Sequence, residues 1–168
     1  MTTDNPEQSS KTISWFDPRP TAALGQQSTG LEFLSKMVAG EVPPPPIGSH
    51  FNMKLLSVSQ GDAVFEAVPD DSLYNPIGVI HGGFALTLLD SAAGCAVHST
   101  LALGQAYTSL ETKVNFLRAV TSDTGPVRAH GWVTKPGRRA AFAEADLRTL
   151  DGTLLATAQS TCLVFPTT

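Results

Sequence analysis

The sequence predicts an α+β domain in which a curved antiparallel sheet wraps around one long central helix. The small and apolar residues from His81 to Leu103 predict a helix that starts near Gly82 and is apolar nearly all round, so other elements must enclose it. Strand-like runs lie on both sides of this segment, separated by turn signals, which is typical of antiparallel strands. Wrapping the helix in the sheet that these strands form is the economical way to bury it.

The first 28 residues are predicted to be an extension that precedes this domain. They are rich in Ser, Thr, Gln, Pro and Gly and show little periodicity. Residues 1–28 are therefore expected to be flexible or loosely packed, and the domain itself is expected at 29–168. Trp15 and Phe16 are the side chains able to pin the extension locally.

A short amphipathic helix is predicted over residues 30–40, because apolar residues recur there at a spacing of three to four and a glycine ends the pattern. The apolar residues are Leu31, Leu34, Met37 and Val38. The four prolines at 43–46 stop this helix and stiffen the chain that follows.

Two strands are predicted before the long helix and three or four after it. The strand-like runs are residues 50–59, 62–68, 107–119, 127–134, 140–150 and 153–165. Gln60-Gly61 and Asp151-Gly152 are turn signals between consecutive runs, so each marks a predicted hairpin. In the third run the alternation predicts one face with Leu110, Val114 and Phe116 and another with Glu111, Lys113 and Asn115.

Composition indicates a single globular domain that associates with copies of itself. The chain has 168 residues, large enough to bury a core without disulfides, and is 42% hydrophobic but only 15% charged. Its net charge of -4 includes no basic block, which argues against a nucleic-acid partner. No apolar run approaches the roughly 18 residues of a membrane helix. The polar, proline-broken start lacks the features of a secretory signal, so a cytoplasmic location is expected.

No metal and no organic cofactor are expected. The four histidines, at 50, 81, 98 and 130, are not spaced as a ligand set, and no cysteine lies beside them. Cys95 and Cys162 lie in apolar segments and are interpreted as reduced, buried thiols. The chain also lacks a glycine-rich nucleotide loop.

The run His81-Gly82-Gly83 at the predicted helix start suggests an oxyanion site. Backbone N–H groups at the positive end of a helix dipole attract negative charge, and no side chain is expected to obstruct them here. Glycine also lets a carbonyl oxygen approach the backbone closely. The alternative is that the two glycines only form a tight turn from loop to helix.

Asp90 lies in the middle of the apolar helix and is the leading catalytic candidate. A buried carboxylate must be hydrogen-bonded or put to use, although a partly exposed helix position is the ordinary alternative. Asp90 follows Gly82 by eight residues, or about 12 Å along one helix, so one reacting carbon cannot contact both in the same chain. If both act on one substrate, a second subunit across a two-fold axis must supply its Asp90 to this subunit's Gly82.

Other polar residues have a structural interpretation beside the functional one. Asn75 lies in a Tyr-Asn-Pro loop and is a common turn former, and His81 is able to act as a hydrogen-bonding residue of the loop. The remaining candidates are the strand hydroxyls Thr108 and Ser109, and the turn arginines Arg138 and Arg139, for which phosphate binding is the alternative to simple solvation.

Four segments carry a family resemblance. They are NPIGVIHGGFALTLLD, TSLETKVNFLRAV, GRRAAFAEADL and DGTLLATAQSTCLV. The chain resembles, over about residues 31–165, the hotdog-fold acyl-CoA thioesterases of the PaaI and 4-hydroxybenzoyl-CoA type. The combination of an Asn, His-Gly-Gly and an acid nine residues after the His makes the resemblance specific. It implies the hotdog fold, an acyl-CoA substrate, no cofactor, and a homodimer or a homotetramer formed as a dimer of dimers.

The resemblance also implies a role for each candidate residue. The N–H of Gly82 would polarise the thioester carbonyl, and Asp90 of the facing subunit would be the nucleophile or the general base for water. Asn75 would position the carbonyl or the water, and His81 would orient the loop. Ser109 would hold the water or the carboxylate. The expected substrate-binding residues are Gly83, Thr108, Arg138 and Arg139, of which Arg138 matches a family Gly-Arg near the CoA portion.

Two alternative functions remain on the same fold. A hydratase or dehydratase pairs a His with an acid in a context such as Asn-Pro-x-His-x-Asp, but here Gly78 and Ile80 occupy those positions. A non-catalytic acyl-CoA-binding module would lack the acid or carry a DNA-binding extension, whereas Asp90 is present and residues 1–28 are not basic. Hydrolysis of the thioester is therefore the expected reaction.

Overall fold

The computed structural model describes residues 7–167, so the first six residues of the predicted extension lie outside the described part. The helices are α1 (Pro18–Gln26), α2 (Gly30–Val38), α3 (Pro46–His50) and α4 (Gly82–His98). The strands are β1 (Met53–Ser59), β2 (Asp62–Ala67), β3 (Gln105–Phe116), β4 (Val127–Lys135), β5 (Ala140–Thr149) and β6 (Leu154–Pro166). Between residues 7 and 167, no helix is long and apolar enough to cross a membrane.

The six strands form one antiparallel sheet that wraps around α4, which confirms the predicted α+β class. The strand order is β1-β2-β4-β5-β6-β3, and α4 contacts every strand. Most of the helix is buried, with Leu88, Leu89, Ala92 and Ala93 fully enclosed, whereas a stripe that includes Asp90 is only partly buried. The alanines let the sheet approach closely, and burial of the leucines supplies much of the hydrophobic stabilisation.

Strand β3 contains a β-bulge that corrects one prediction. Its pairing with β6 shifts between Ser109 and Glu111, so Leu110 is the extra residue. A bulge reverses the alternation of side chains beyond it. Leu110 is consequently 63% exposed and does not share a face with Val114, as the sequence pattern had predicted. Instead, Ser109 and Thr112 both turn towards α4.

The elements before the sheet differ from the sequence expectation in two places. Helix α2 is confirmed, and a capping box between Thr29 and Glu32 begins it. Helix α1 was not predicted, although Asp17 caps it and Pro18 lies in its first turn, both ordinary helix-start signals. The short helix α3 was also not predicted, and it delays the start of the first strand to Met53.

A glycine on β4 fixes the distance between α4 and the sheet. A Cβ at Gly131 would lie 2.3 Å from the carbonyl carbon and oxygen of Ala92, which no rotamer change can relieve. We expect Gly131→Ala to lower the free energy of unfolding by about 1–3 kcal/mol, as overpacking does. Urea titration followed by circular dichroism measures the change.

Gly25→Ala is the matched control for this substitution. A Cβ at Gly25, inside α1, would make only ordinary contacts, the nearest at 3.4 Å to the ring of Phe33. Alanine also has the higher helix propensity, so the control should be neutral or slightly stabilising. Equal unfolding midpoints for the two variants would contradict the close packing of β4 on α4.

Candidate functional site

The loop before α4 is held in place by backbone hydrogen bonds to its neighbours. Ile80 donates its N–H to the carbonyl of Val120 at 2.9 Å, and His81 donates to the carbonyl of Leu73 at 2.8 Å. These bonds fix the direction from which the chain enters α4. The first turn of the helix is therefore presented at a defined position beside the end of β3.

His81 caps α4, and the two glycines that follow are not equivalent. The Nδ1 atom of His81 accepts a hydrogen bond from the N–H of Gly83 at 2.9 Å, so Nδ1 carries no proton in this arrangement. The expectation that no side chain obstructs these N–H groups is therefore wrong for Gly83. The N–H of Gly82 has no hydrogen-bond partner among residues 7–167 and remains available to a ligand.

Asn75 forms a turn while keeping its amide donors available. Its Oδ1 accepts hydrogen bonds from the N–H groups of Ile77 at 3.0 Å and Val79 at 3.3 Å. Its Nδ2 group has no partner within the described chain, residues 7–167. The turn-forming role and a ligand-binding role are compatible, because they use different atoms of the same side chain.

A cavity of about 450 Å³ lies at the start of α4. Asn75, His81 and Gly82 line it, so the structure brings these three predicted residues together. The ring of Phe116 also lines it and packs against Gly82, where a Cβ would lie 3.1 Å from the ring. Arg118, which the sequence analysis did not single out, is a cationic residue of this cavity. The available signal was a cationic residue at the end of the predicted third strand-like run.

Asp90 is held by two hydroxyl groups of β3. Ser109 donates to its Oδ1 at 3.1 Å, and Thr112 donates to the same atom at 2.8 Å. The contact with Ser109 places two predicted residues together, whereas Thr112 was missed because the bulge is not visible in the sequence pattern. The second carboxylate oxygen, Oδ2, has no partner within residues 7–167. One oxygen is thus fixed and the other is free to act.

Asp90 lines a second cavity, of about 360 Å³, which residues of α2 also line. Cys95, His98 and Tyr107 share its wall. Burial raises the pKa of Cys95 to about 12 and the pKa of Tyr107 well above its usual value, and it lowers the pKa of His98. All three side chains are therefore neutral near pH 7.

The two groups of candidate residues lie in different cavities of the same chain. Gly82 belongs to the cavity at the start of α4, and Asp90 belongs to the second cavity, eight residues along the same helix. Within one protomer they do not converge on a common point. This agrees with the helix geometry, which predicts a separation too large for one substrate atom to contact both.

The remaining candidates lie away from both groups. Thr108 is exposed on β3, on the opposite face from Ser109. Arg138 and Arg139 are exposed in the turn between β4 and β5, where Arg138 lines a separate recess with Gly61 and Thr100. In the described residues, no group of three His, Cys, Asp or Glu side chains is arranged to hold a metal ion.

Comparison with known proteins places this geometry in a family. The family model described as Thioesterase superfamily matches residues 77–156, which include Gly82, Asp90 and Ser109. The conserved protein PA5202 from Pseudomonas aeruginosa is 30% identical, with a TM-score of 0.67 over 73% of this chain and 95% of that chain. The chain belongs to the thioesterase superfamily. It is a thioester hydrolase, and the resemblance to the PaaI type is confirmed.

Further solved structures agree with this assignment. A thioesterase family protein from Silicibacter pomeroyi is 26% identical over 79% of this chain and 98% of that chain, with a TM-score of 0.69. The PaaI protein of E. coli, from the phenylacetic acid degradation operon, is 17% identical over 84% and 98%, with a TM-score of 0.71, and so shares the hotdog fold. No curated protein matches the chain significantly.

The two cysteines of this thioesterase are expected to be unreactive in the folded state. Only the thiolate reacts with disulfide reagents, and burial raises the pKa of both thiols. At pH 8, Ellman's reagent should label neither Cys95 nor Cys162 in the native protein and both in guanidinium chloride. Because the folded pKa of Cys95 lies above its unfolded value of about 8.5, stability should fall as the pH rises past 8.5. Rapid labelling of the native protein by Ellman's reagent would contradict the expectation that both thiols are unreactive.

Proposed function

We propose that the enzyme hydrolyses an acyl-CoA to the free acid and CoA, in a site built from two subunits. The observation that carries this proposal is the separation of Gly82 and Asp90 on one helix. Each offers an available polar atom, but the cavity of Gly82 does not contain Asp90 and the cavity of Asp90 does not contain Gly82. A second copy of the chain supplies what each half lacks.

The edge of the sheet supports the association of two subunits. Strand β3 pairs with β6 on one side only, so the other side of this twelve-residue strand presents unpaired backbone groups. Pairing of β3 with its own copy across a two-fold axis would continue the sheet and bury the exposed Leu110 and Leu117. The same axis sets the two α4 helices antiparallel, so the Gly82 end of each faces Asp90 of the other.

In this site the N–H of Gly82 polarises the thioester carbonyl. The developing oxyanion lies at the positive end of α4, where a hydrogen bond and the helix dipole stabilise it together. The free Nδ2 of Asn75 lines the same cavity and positions the carbonyl or the attacking water. His81 acts indirectly, because its Nδ1 is engaged with Gly83 and thereby holds the first turn of the helix in shape.

Asp90 of the facing subunit supplies the attack on the carbonyl carbon. Ser109 and Thr112 fix one carboxylate oxygen and leave the other free. The free oxygen either removes a proton from an attacking water, or attacks directly to form an anhydride that water then hydrolyses to the free acid. Coenzyme A leaves as a thiolate, which is a good leaving group, so the site needs no strong general acid. Arg118 lies beside Gly82 and is better placed than Arg138 or Arg139 to meet the anionic part of the substrate.

The charge of Asp90 is tested by Asp90→Asn, which keeps the shape of the side chain. We expect the rate of thiol release from acyl-CoA to fall by about 10²–10⁴-fold, the usual contribution of a catalytic base. Asp123→Asn, in the exposed turn Ser122–Thr124, is the control and should leave the rate unchanged. Thermal melting verifies that both variants fold. A rate for Asp90→Asn near that of the wild type would refute the assigned role.

The shared site is tested by mixing two inactive variants. Asp90→Ala retains an intact Gly82, and Gly82→Leu retains an intact Asp90, so a mixed dimer contains one site with both halves. Random co-refolding of equal amounts should restore about a quarter of the wild-type activity, because half of the dimers are mixed and one of their two sites is intact. Each variant refolded alone is the control. Absence of recovery in folded, exchanged mixtures would place both groups in sites within single chains.

A further inference from the structure

The cavity that Asp90 lines, called the channel below, has both buried and exposed residues in its wall. The buried residues include Phe65 of β2, which is only 5% exposed. The exposed residues include Phe16, which is 68% exposed, and Ile47, which is 42% exposed, and they mark the open end. The carboxylate therefore lies in the wall of a cavity that reaches from buried residues to the surface.

The walls of this channel favour an apolar occupant. Aliphatic and aromatic side chains line most of it, including Phe33, Leu34 and Met37 of α2. The charged residues of its wall beyond Asp90 are engaged elsewhere, since Lys54 pairs with Glu66 at 3.3 Å and Asp17 binds Arg19. A polar ligand would lose its hydration here without compensation, whereas a hydrocarbon chain would gain by leaving water.

The open end of the channel is held in a fixed shape. Lys11 forms an ion pair with Asp70 at 2.6 Å, and the ring of Trp15 lies 6.1 Å from the ring of His50, so the chain that leads to Phe16 is tied to the body of the protein. The opposite rim consists of Pro43, Pro44 and Pro45. Proline has little conformational freedom, so this rim is preorganised and does not adapt to longer ligands at low cost.

Much of this channel is built by residues that precede the part matched by the family model. The model matches residues 77–156, whereas the rim and α2 lie between residues 16 and 48. The match with the Pseudomonas protein covers 95% of that protein but only 73% of this chain, so part of this chain has no counterpart there. A property that depends on the rim therefore rests on residues outside the part of the chain that the family model matches.

From these observations we infer that the channel holds the tail of an unbranched apolar acyl group, and that α1 and Phe16 set the longest chain it accepts. This inference rests on the proposed function, since the thioester carbon must lie at Asp90. The chain extends from the carboxylate past Met37 towards the rim. Residues along the channel then limit the length of the acyl chain, and together they are called the gauge. Met37 limits the chain at the middle of the channel, and Ala22 of α1 limits it at the rim.

The gauge is tested with two pairs of variants and a series of acetyl-, hexanoyl-, decanoyl- and hexadecanoyl-CoA. Met37→Trp fills the middle of the channel, and Val38→Trp adds the same ring at the next position of α2, outside the lining. Ala22→Phe narrows the rim, and Ala23→Phe is its neighbour outside the lining. All four positions are at least partly exposed, so folding should survive, which thermal melting verifies.

We expect Met37→Trp to lower kcat/KM for decanoyl-CoA by about tenfold or more, as loss of a methylene-sized space does, and to leave acetyl-CoA hydrolysis unchanged. Ala22→Phe should affect only the longest chain, and Phe16→Ala should raise its kcat/KM. The two control variants should match the wild type at every length. An equal loss at all lengths, or the same profile for Val38→Trp, would overturn the gauge.

Failure of the proposed function gives a different result. If the wild type hydrolyses none of the four thioesters, the acyl-CoA hydrolase proposal itself is wrong, whatever the variants do. Calorimetry with free decanoate tests the channel without turnover: binding should be tenfold weaker or worse in Met37→Trp and unchanged in Val38→Trp. If active wild-type enzyme binds decanoate no better than Met37→Trp does, the channel is not the acyl site and the hydrolase proposal stands.

Discussion

The structure depends on the burial of α4 by a single sheet. Helix α4 is mostly apolar and depends on tertiary packing for its stability, which six strands supply by closing around it at a distance that Gly131 and Ala92 set. Asp90 is partly exposed on this helix, and its carboxylate still needs hydrogen-bond partners beside apolar neighbours. The bulge in β3 provides them, since it brings Ser109 and Thr112 to the same carboxylate oxygen. An irregularity in the sheet thus orients this carboxylate.

The same helix is the basis for proposing that the protein acts together with a second copy of itself. Its start offers the positive dipole end and the free N–H of Gly82, and its middle offers the carboxylate. A straight helix keeps these about 12 Å apart, so no rotamer change within one chain can join them. In the proposed pair of antiparallel helices, Gly82 of each copy lies beside Asp90 of the other, so the pair contains two such sites. Dimer formation is in this view a part of the catalytic design and also covers the open edge of β3.

Much of this arrangement could be predicted from sequence because its signals are local. The start of α4 follows from His81-Gly82-Gly83 and the apolar run, and the last three strands were located within two residues by turn signals such as Asp151-Gly152. The bulge at Leu110 could not be predicted, because it is a feature of the pairing between β3 and β6, which are far apart in the chain. The pairing of Gly83 with Nδ1 of His81 depends on a side-chain rotamer, which residue types alone do not determine. Helix α1 was overlooked although Asp17 and Pro18 mark its start, because the composition around it resembles a linker.

The segment before the sheet is the part of the chain whose tertiary contacts are hardest to predict from local sequence signals. Lys11 meets Asp70, 59 residues away, and Trp15 meets His50, and neither pairing leaves a mark in the sequence pattern. These contacts bring an otherwise polar segment to the mouth of the channel behind Asp90. The residues proposed to carry out hydrolysis thus include Gly82, Asp90 and Ser109 within residues 77–156, which the thioesterase family model matches, whereas the residues proposed to set the length of the acyl group precede them. Under these proposals, the length of the accepted substrate would change through residues 16–48 while the carboxylate, its two hydroxyl partners and the helix start keep their geometry.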